Sequence, residues 1–82
     1  MINQETPLQK YKDHSRSSGV AAFHLAEGRI VVRFRNGSTY EYTDDSAGPE
    51  AIATMHHLAL SGQGLGTFIS THVHNAYARR IK

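Results

Sequence analysis

Six histidines stand in this chain of 82 residues: His14, His24, His56, His57, His72 and His74. Helical zinc sites use two His four residues apart, so that both rings share a face. No such pair occurs here. On a helix, His56 and His57 would point about 100° apart, and His72 and His74 about 200° apart. The histidines therefore read as surface or hydrogen-bonded core residues, with His72 half-buried on an apolar stripe. No metal is expected. Asp44-Asp45 could serve as acid and base or hold a cation, but two acids just before a helix read as loop and dipole residues. Ser61-Gly62-Gln63-Gly64-Leu65-Gly66 precedes a helix, yet it lacks the lysine and spacing of a phosphate loop. It reads as a flexible connection. No serine sits in a nucleophile elbow. These residues predict no catalytic group, no cofactor and no enzyme activity.

The side chains best suited to a ligand are cations. Arg33, Arg35, Arg79, Arg80 and Lys82 are the candidate phosphate contacts of a nucleic-acid-binding surface. Net charge is only +2, but it is unevenly spread. Lys10, Lys12, Arg16, Arg29, Arg33 and Arg35 make the first part basic, and Arg79, Arg80 and Lys82 make the end basic. Between them lie Glu41, Asp44, Asp45 and Glu50 with no Lys or Arg. The simpler reading of these charges is a wet surface.

The elements that position these residues follow from periodicity. Residues 1–16 are polar and basic, and read as a weakly ordered segment that frays or docks through Leu8 and Tyr11. From Gly19 to Leu25, Ala21, Phe23 and Leu25 alternate on one face of a strand. Ile30 to Arg35 alternates strictly, with Ile30, Val32 and Phe34 opposite Val31, Arg33 and Arg35. Asn36-Gly37 is a hairpin signal, and Thr39 to Thr43 forms a third strand. A helix begins near Pro49 with Glu50 in its first turn, carries Ile52, Met55, Leu58 and Ala59, and stops at Gly62. A second helix is predicted from about Thr67 to Arg80, striped by Phe68, Ile69, His72, Val73, Ala76 and Tyr77. The expected fold class is α+β, a three-stranded antiparallel meander followed by two C-terminal helices packed on one face. Residues 17–82 make the domain.

Loop length decides which face Tyr40 and Tyr42 occupy, because paired residues share a face. A three-residue loop, Arg35-Asn36-Gly37, pairs Val32 with Tyr40 and Ile30 with Tyr42. Glu41 then lies on the outer face opposite Val31, near Arg33. A two-residue loop would put Glu41 among apolar side chains and the tyrosines among the arginines, a face suited to single-stranded RNA. Burying an unpaired carboxylate costs several kcal/mol, more than any difference in turn type, so the three-residue loop is expected. The same test on the first hairpin favours an even loop, which pairs Leu25 with Ile30 and Phe23 with Val32.

Ser17-Ser18 entering a strand, Ile30-Val31-Val32-Arg33-Phe34, Asn36-Gly37 and Tyr40-Glu41-Tyr42 resemble the KTSC domain family. Gly66, Phe68, His72, Val73 and Tyr77 resemble its closing Gly–aromatic–helix segment. The family is named for the C-terminal extension of some lysyl-tRNA synthetases, and it also occurs as short single-domain bacterial proteins like this one. Its central Tyr-x-Tyr matches Tyr40 and Tyr42, here read as core residues. The chain departs from the family pattern in a longer connection over 43–65, and in Ile69 and Ser70 where Phe and Asn are expected. The resemblance implies a domain of uncharacterised function for which RNA binding is the standing suggestion. The alternative is a protein-interaction or homo-oligomerisation module, whose partner is a second copy or another protein.

The composition sets outer bounds. A domain this small buries only about 60% of its unfolded surface, which leaves little depth for a catalytic apparatus. There is no cysteine, hence no disulfide or thiolate chemistry. No apolar run approaches ~20 residues, so no membrane span is expected. Met1 to Pro7 has neither the basic start nor the apolar stretch of a signal peptide, so a cytoplasmic location is expected.

Overall fold

The computed structural model describes residues 8–13 and 19–82. It is an α+β fold in which five antiparallel strands lie side by side in chain order. They are β1 (Gln9–Lys10), β2 (Val20–Ala26), β3 (Arg29–Phe34), β4 (Thr39–Thr43) and β5 (Arg79–Arg80). Between β4 and β5 come the helices α1 (Asp44–Ala47), α2 (Pro49–Ser61) and α3 (Leu65–His72). No helix among the described residues is long and apolar enough to cross a membrane.

The central register is the one that the position of Glu41 demands. Val32 pairs with Tyr40, Val31 with Glu41 and Ile30 with Tyr42. The loop is Arg35-Asn36-Gly37, closed by the Phe34 N–H on the Ser38 carbonyl at 2.8 Å. Gly37 closes it at φ +94°, a conformation that a Cβ would disfavour. In the first hairpin Leu25 pairs with Ile30 and Phe23 with Val32, as parity requires. One detail of β2 differs from expectation. A bulge lies between Val20 and Ala22, so Val20, not Ala21, continues the core face above Phe23. The extra residue re-aims the strand, which a period-two pattern cannot signal.

Phe23, Ile30, Val32 and Tyr42 pack on one sheet face against Ile52, Met55, Ala59, Leu65 and Ile69. Helix α2 runs as its sequence predicts. Pro49 is its first residue, Ile52, Met55 and Ala59 are its buried stripe, and Gly62 ends it in the left-handed conformation. Asp44 and Asp45 form the first turn of α1. Thr43 caps that turn by accepting from the Ser46 N–H, while Ser46 Oγ accepts from the Thr43 N–H. The two acids thus sit at a helix N-terminus, where negative charge is favoured.

Two edges of the sheet lie outside the three-strand expectation. The first is β1. Within the segment read as weakly ordered, Tyr11 is buried to 2% exposure, and its phenol oxygen accepts a hydrogen bond from the Leu65 N–H at 3.2 Å. It therefore satisfies one of the donors that the start of α3 leaves without an intrahelical acceptor. Residues 1–7 and 14–18, which include His14, Arg16 and Ser17-Ser18, lie outside the described residues.

The second edge is β5, and here the sequence expectation fails. The helix predicted over 67–80 ends at His72, and Val73 leaves helical geometry at φ −130°. The chain then returns to β4, where Tyr40 pairs with Arg80 and Glu41 with Arg79. The Ala78 N–H donates to the Glu41 carbonyl at 2.6 Å, and the Ile81 N–H to the Thr39 carbonyl at 2.7 Å. Without this return, the outer edge of β4 would present unpaired backbone groups beside buried side chains. Pairing with a distant strand outweighs a weak local preference for helix.

Candidate nucleic-acid interface

The five basic side chains singled out in the sequence do not form one surface. Neighbours along a strand face opposite ways, so β3 and β5 distribute them over two faces. Arg33 is exposed on the outer face, where it pairs with Thr39. Arg79 is on the same face but is engaged, its Nε donating to Glu41 Oε1 at 2.8 Å. Arg29 holds the other oxygen of that carboxylate at 2.6 Å. Arg35 lies in the β3–β4 loop and pairs with the buried Asp13 at 2.7 Å. Arg80, one residue beyond Arg79, falls on the core side of the sheet, and Lys82 is exposed at the chain end.

Glu41 was expected near Arg33. It instead sits between Arg29 and Arg79, because sheet twist brings one diagonal neighbour closer than the other. Glu41 is only 7% exposed. Burial acts to raise its pKa, but the hydrogen bonds and charges of Arg79 and Arg29 outweigh burial and hold the carboxyl below its ordinary value. Two guanidinium groups thus share one carboxylate at the centre of the outer face, which keeps positive charge there beside the exposed Arg33.

The core side of the sheet offers something different. The helices cover Ile30, Val32 and Tyr42 but leave the end of the sheet beside the β3–β4 loop open. An open cleft of about 330 Å³ lies there. Its walls are aromatic, formed by Phe34, Tyr40, Tyr42 and Tyr77. Phe34 and Tyr40 meet edge to face with centroids 6.0 Å apart, and Tyr40 and Tyr77 lie 4.7 Å apart at a tilt of 45°. Asn36, Ser38, Ser70, His74 and Asn75 also line the cleft. The Arg80 guanidinium carbon lies 5.8 Å from the Tyr40 ring centroid, and Arg80 Nη2 reaches Ser38 Oγ at 3.5 Å. Among the described residues no carboxylate pairs with Arg33, Arg80 or Lys82.

The two tyrosines of the central motif therefore differ. Tyr42 is a core residue at 2% exposure, and burial pushes its phenol up to about 12, aided by the neighbouring phenols of Tyr40 and Tyr77. Tyr40 is half-buried and forms part of the cleft wall. Tyr77 was expected on a helical stripe, but it lies in the segment returning to the sheet and is 40% exposed. His72 is exposed, not half-buried; its ring stacks on Phe68 at 4.6 Å and its Nδ1 lies 2.8 Å from Thr71 Oγ1. No group of three or more His, Asp or Glu suited to a metal ion occurs among the described residues.

Asn36, His74, Asn75 and Tyr77 were not singled out as site residues in the sequence. The one local signal was His74-Asn75, a poor helix interior so soon after Thr71-His72. No protein-family model, curated protein or solved structure matches the chain.

Proposed function

We propose that this domain is a non-catalytic module that binds single-stranded RNA, with bases on the aromatic cleft and phosphates on Arg80 and Lys82. The observation that carries the reading is the juxtaposition of the Tyr40 and Tyr77 rings with Arg80 at one open end of the sheet. Proteins that hold single strands combine aromatic faces for the bases with cations for the backbone. The resemblance to the KTSC family points the same way, through its attachment to a tRNA synthetase. The alternative, assembly through a sheet edge, has less support. Both edge strands are two residues long and carry Lys10, Arg79 and Arg80, the short charged edges that resist pairing.

Fluorescence anisotropy with a labelled single-stranded RNA of mixed sequence tests the reading. Affinity should fall as salt rises, with a log–log slope of roughly −0.7 for each phosphate contacted. Tyr40→Ala should weaken binding by about 1–3 kcal/mol through lost stacking. Absence of any binding at about 50 mM salt would overturn the reading.

A further inference from the structure

The charges of the sheet are segregated along the strand axis. Glu27, in the β2–β3 turn, and Asp44 and Asp45, just after β4, are exposed at one end. The Asp44 N–H donates to the Gly28 carbonyl at 2.9 Å, which holds the two acidic segments side by side. Arg33, Arg80 and Lys82 lie toward the opposite end, where the Lys82 N–H donates to the Thr39 carbonyl at 3.3 Å. That is also the end at which the aromatic cleft opens.

The basic end is continuous around one edge of the sheet. β5 is the outermost strand, and both of its residues are exposed. Arg79 and Arg80 follow one another in it, so their side chains leave opposite faces. Arg80 lies over Tyr40 in the cleft. The Arg79 side chain is 67% exposed on the outer face, above a Glu41 side chain that is 9% exposed. Only Nε of Arg79 is engaged by Glu41, which leaves both Nη groups as donors. Arg33 is exposed on the same face, paired with Thr39 two strands in from the edge. A polyanion leaving the cleft therefore meets cations on the far side of a single two-residue strand, whereas along the strand axis it meets carboxylates.

We propose that an RNA strand held in the cleft crosses the β5 edge and continues on the outer face, its phosphates passing from Arg80 to Arg79 and Arg33. This rests on the RNA-binding reading and adds to it the path of the strand beyond the cleft. Two single strands of mixed sequence, of about 6 and about 14 nucleotides, separate the faces, both within the usual range of site sizes. The short strand fills the cleft, and the long one reaches the outer face. A longer strand also binds tighter by offering more registers, so the readout is the slope of log affinity against log salt. That slope should be steeper for the long strand by roughly 1.4, for two added phosphate contacts. Arg33→Gln should make the long strand's slope shallower by roughly 0.7 and leave the short strand's slope unchanged. Arg33→Lys keeps the cation and should keep the slope. Equal slopes for the two strands, or an Arg33→Gln effect on both strands or on neither, overturns the path while leaving cleft binding intact. Binding of the long strand without the short one overturns it too, by placing the main site outside the cleft. Failure of both strands to bind at about 50 mM salt overturns the RNA reading itself.

Discussion

Glu41 and Arg79 face each other across β4 and β5, with Oε1 and Nε 2.8 Å apart. The contact joins the middle of the chain to its end, and it is the charged half of a pairing whose backbone half is the Ala78 N–H on the Glu41 carbonyl. Arg29 holds the second carboxylate oxygen, so the carboxylate ties β3, β4 and β5 together.

Loss of that carboxylate should cost more than loss of either arginine. Glu41→Gln removes charge-assisted bonds to two guanidinium groups, and we expect a loss of about 1–3 kcal/mol in urea unfolding. Arg79→Ala should cost under ~1 kcal/mol, because its side chain is 67% exposed and Arg29 still holds Glu41. The pKa of Glu41 is lowered from 4.5, so its contribution is fully present above that value and is lost as pH falls through the lowered one. Equal losses in the two variants would show that Arg29 does not share the role.

Tyr11 joins the N-terminal strand to the start of α3. Tyr11→Phe keeps the ring and deletes the acceptor of the buried Leu65 N–H, which should cost about 1–3 kcal/mol. Tyr11→Ala also empties a core position and should cost about 3–5 kcal/mol. Thermal melts of the two variants check this. A neutral Tyr11→Phe would mean that water satisfies Leu65 instead.

The two central tyrosines should separate stability from binding. Tyr42→Ala should destabilise the fold by about 3–5 kcal/mol, since the ring is fully buried. Tyr40→Ala, at a half-buried position on the cleft wall, should cost less and should weaken RNA binding in a protein that remains folded. Parallel melts and anisotropy titrations distinguish the roles, and equal destabilisation by both substitutions would contradict them.

Alkaline pH should destabilise the domain through Tyr42. Its phenol titrates at about 12 in the fold and near 10 when unfolded. Above pH 10 the unfolded chain has lost that proton while the folded chain keeps it, so stability falls between pH 10 and about 12, by roughly 2–3 kcal/mol in all. Tyr42→Phe cannot ionise and should flatten that decline in urea unfolding followed against pH.

What the sequence determined by itself is the centre of the sheet and the first long helix. Period-two alternation and the cost of placing an unpaired Glu41 among the apolar side chains leave one register for β3 and β4, and Pro49 and Gly62 bound α2 by local backbone chemistry. These are short-range effects, readable from neighbouring residues. Tertiary structure decided the rest. Residues 73–80 carry a pattern compatible with helix, yet the backbone groups along the open edge of β4 pull Arg79 and Arg80 into a fifth strand. That return sends two adjacent arginines to opposite faces, one paired with Glu41 and one set over Tyr40. The cleft follows from the same event. Phe34 and Tyr40 meet through the β3–β4 register, but Tyr77 joins them only because the tail returns beside the sheet, a consequence of long-range packing that residue spacing does not encode.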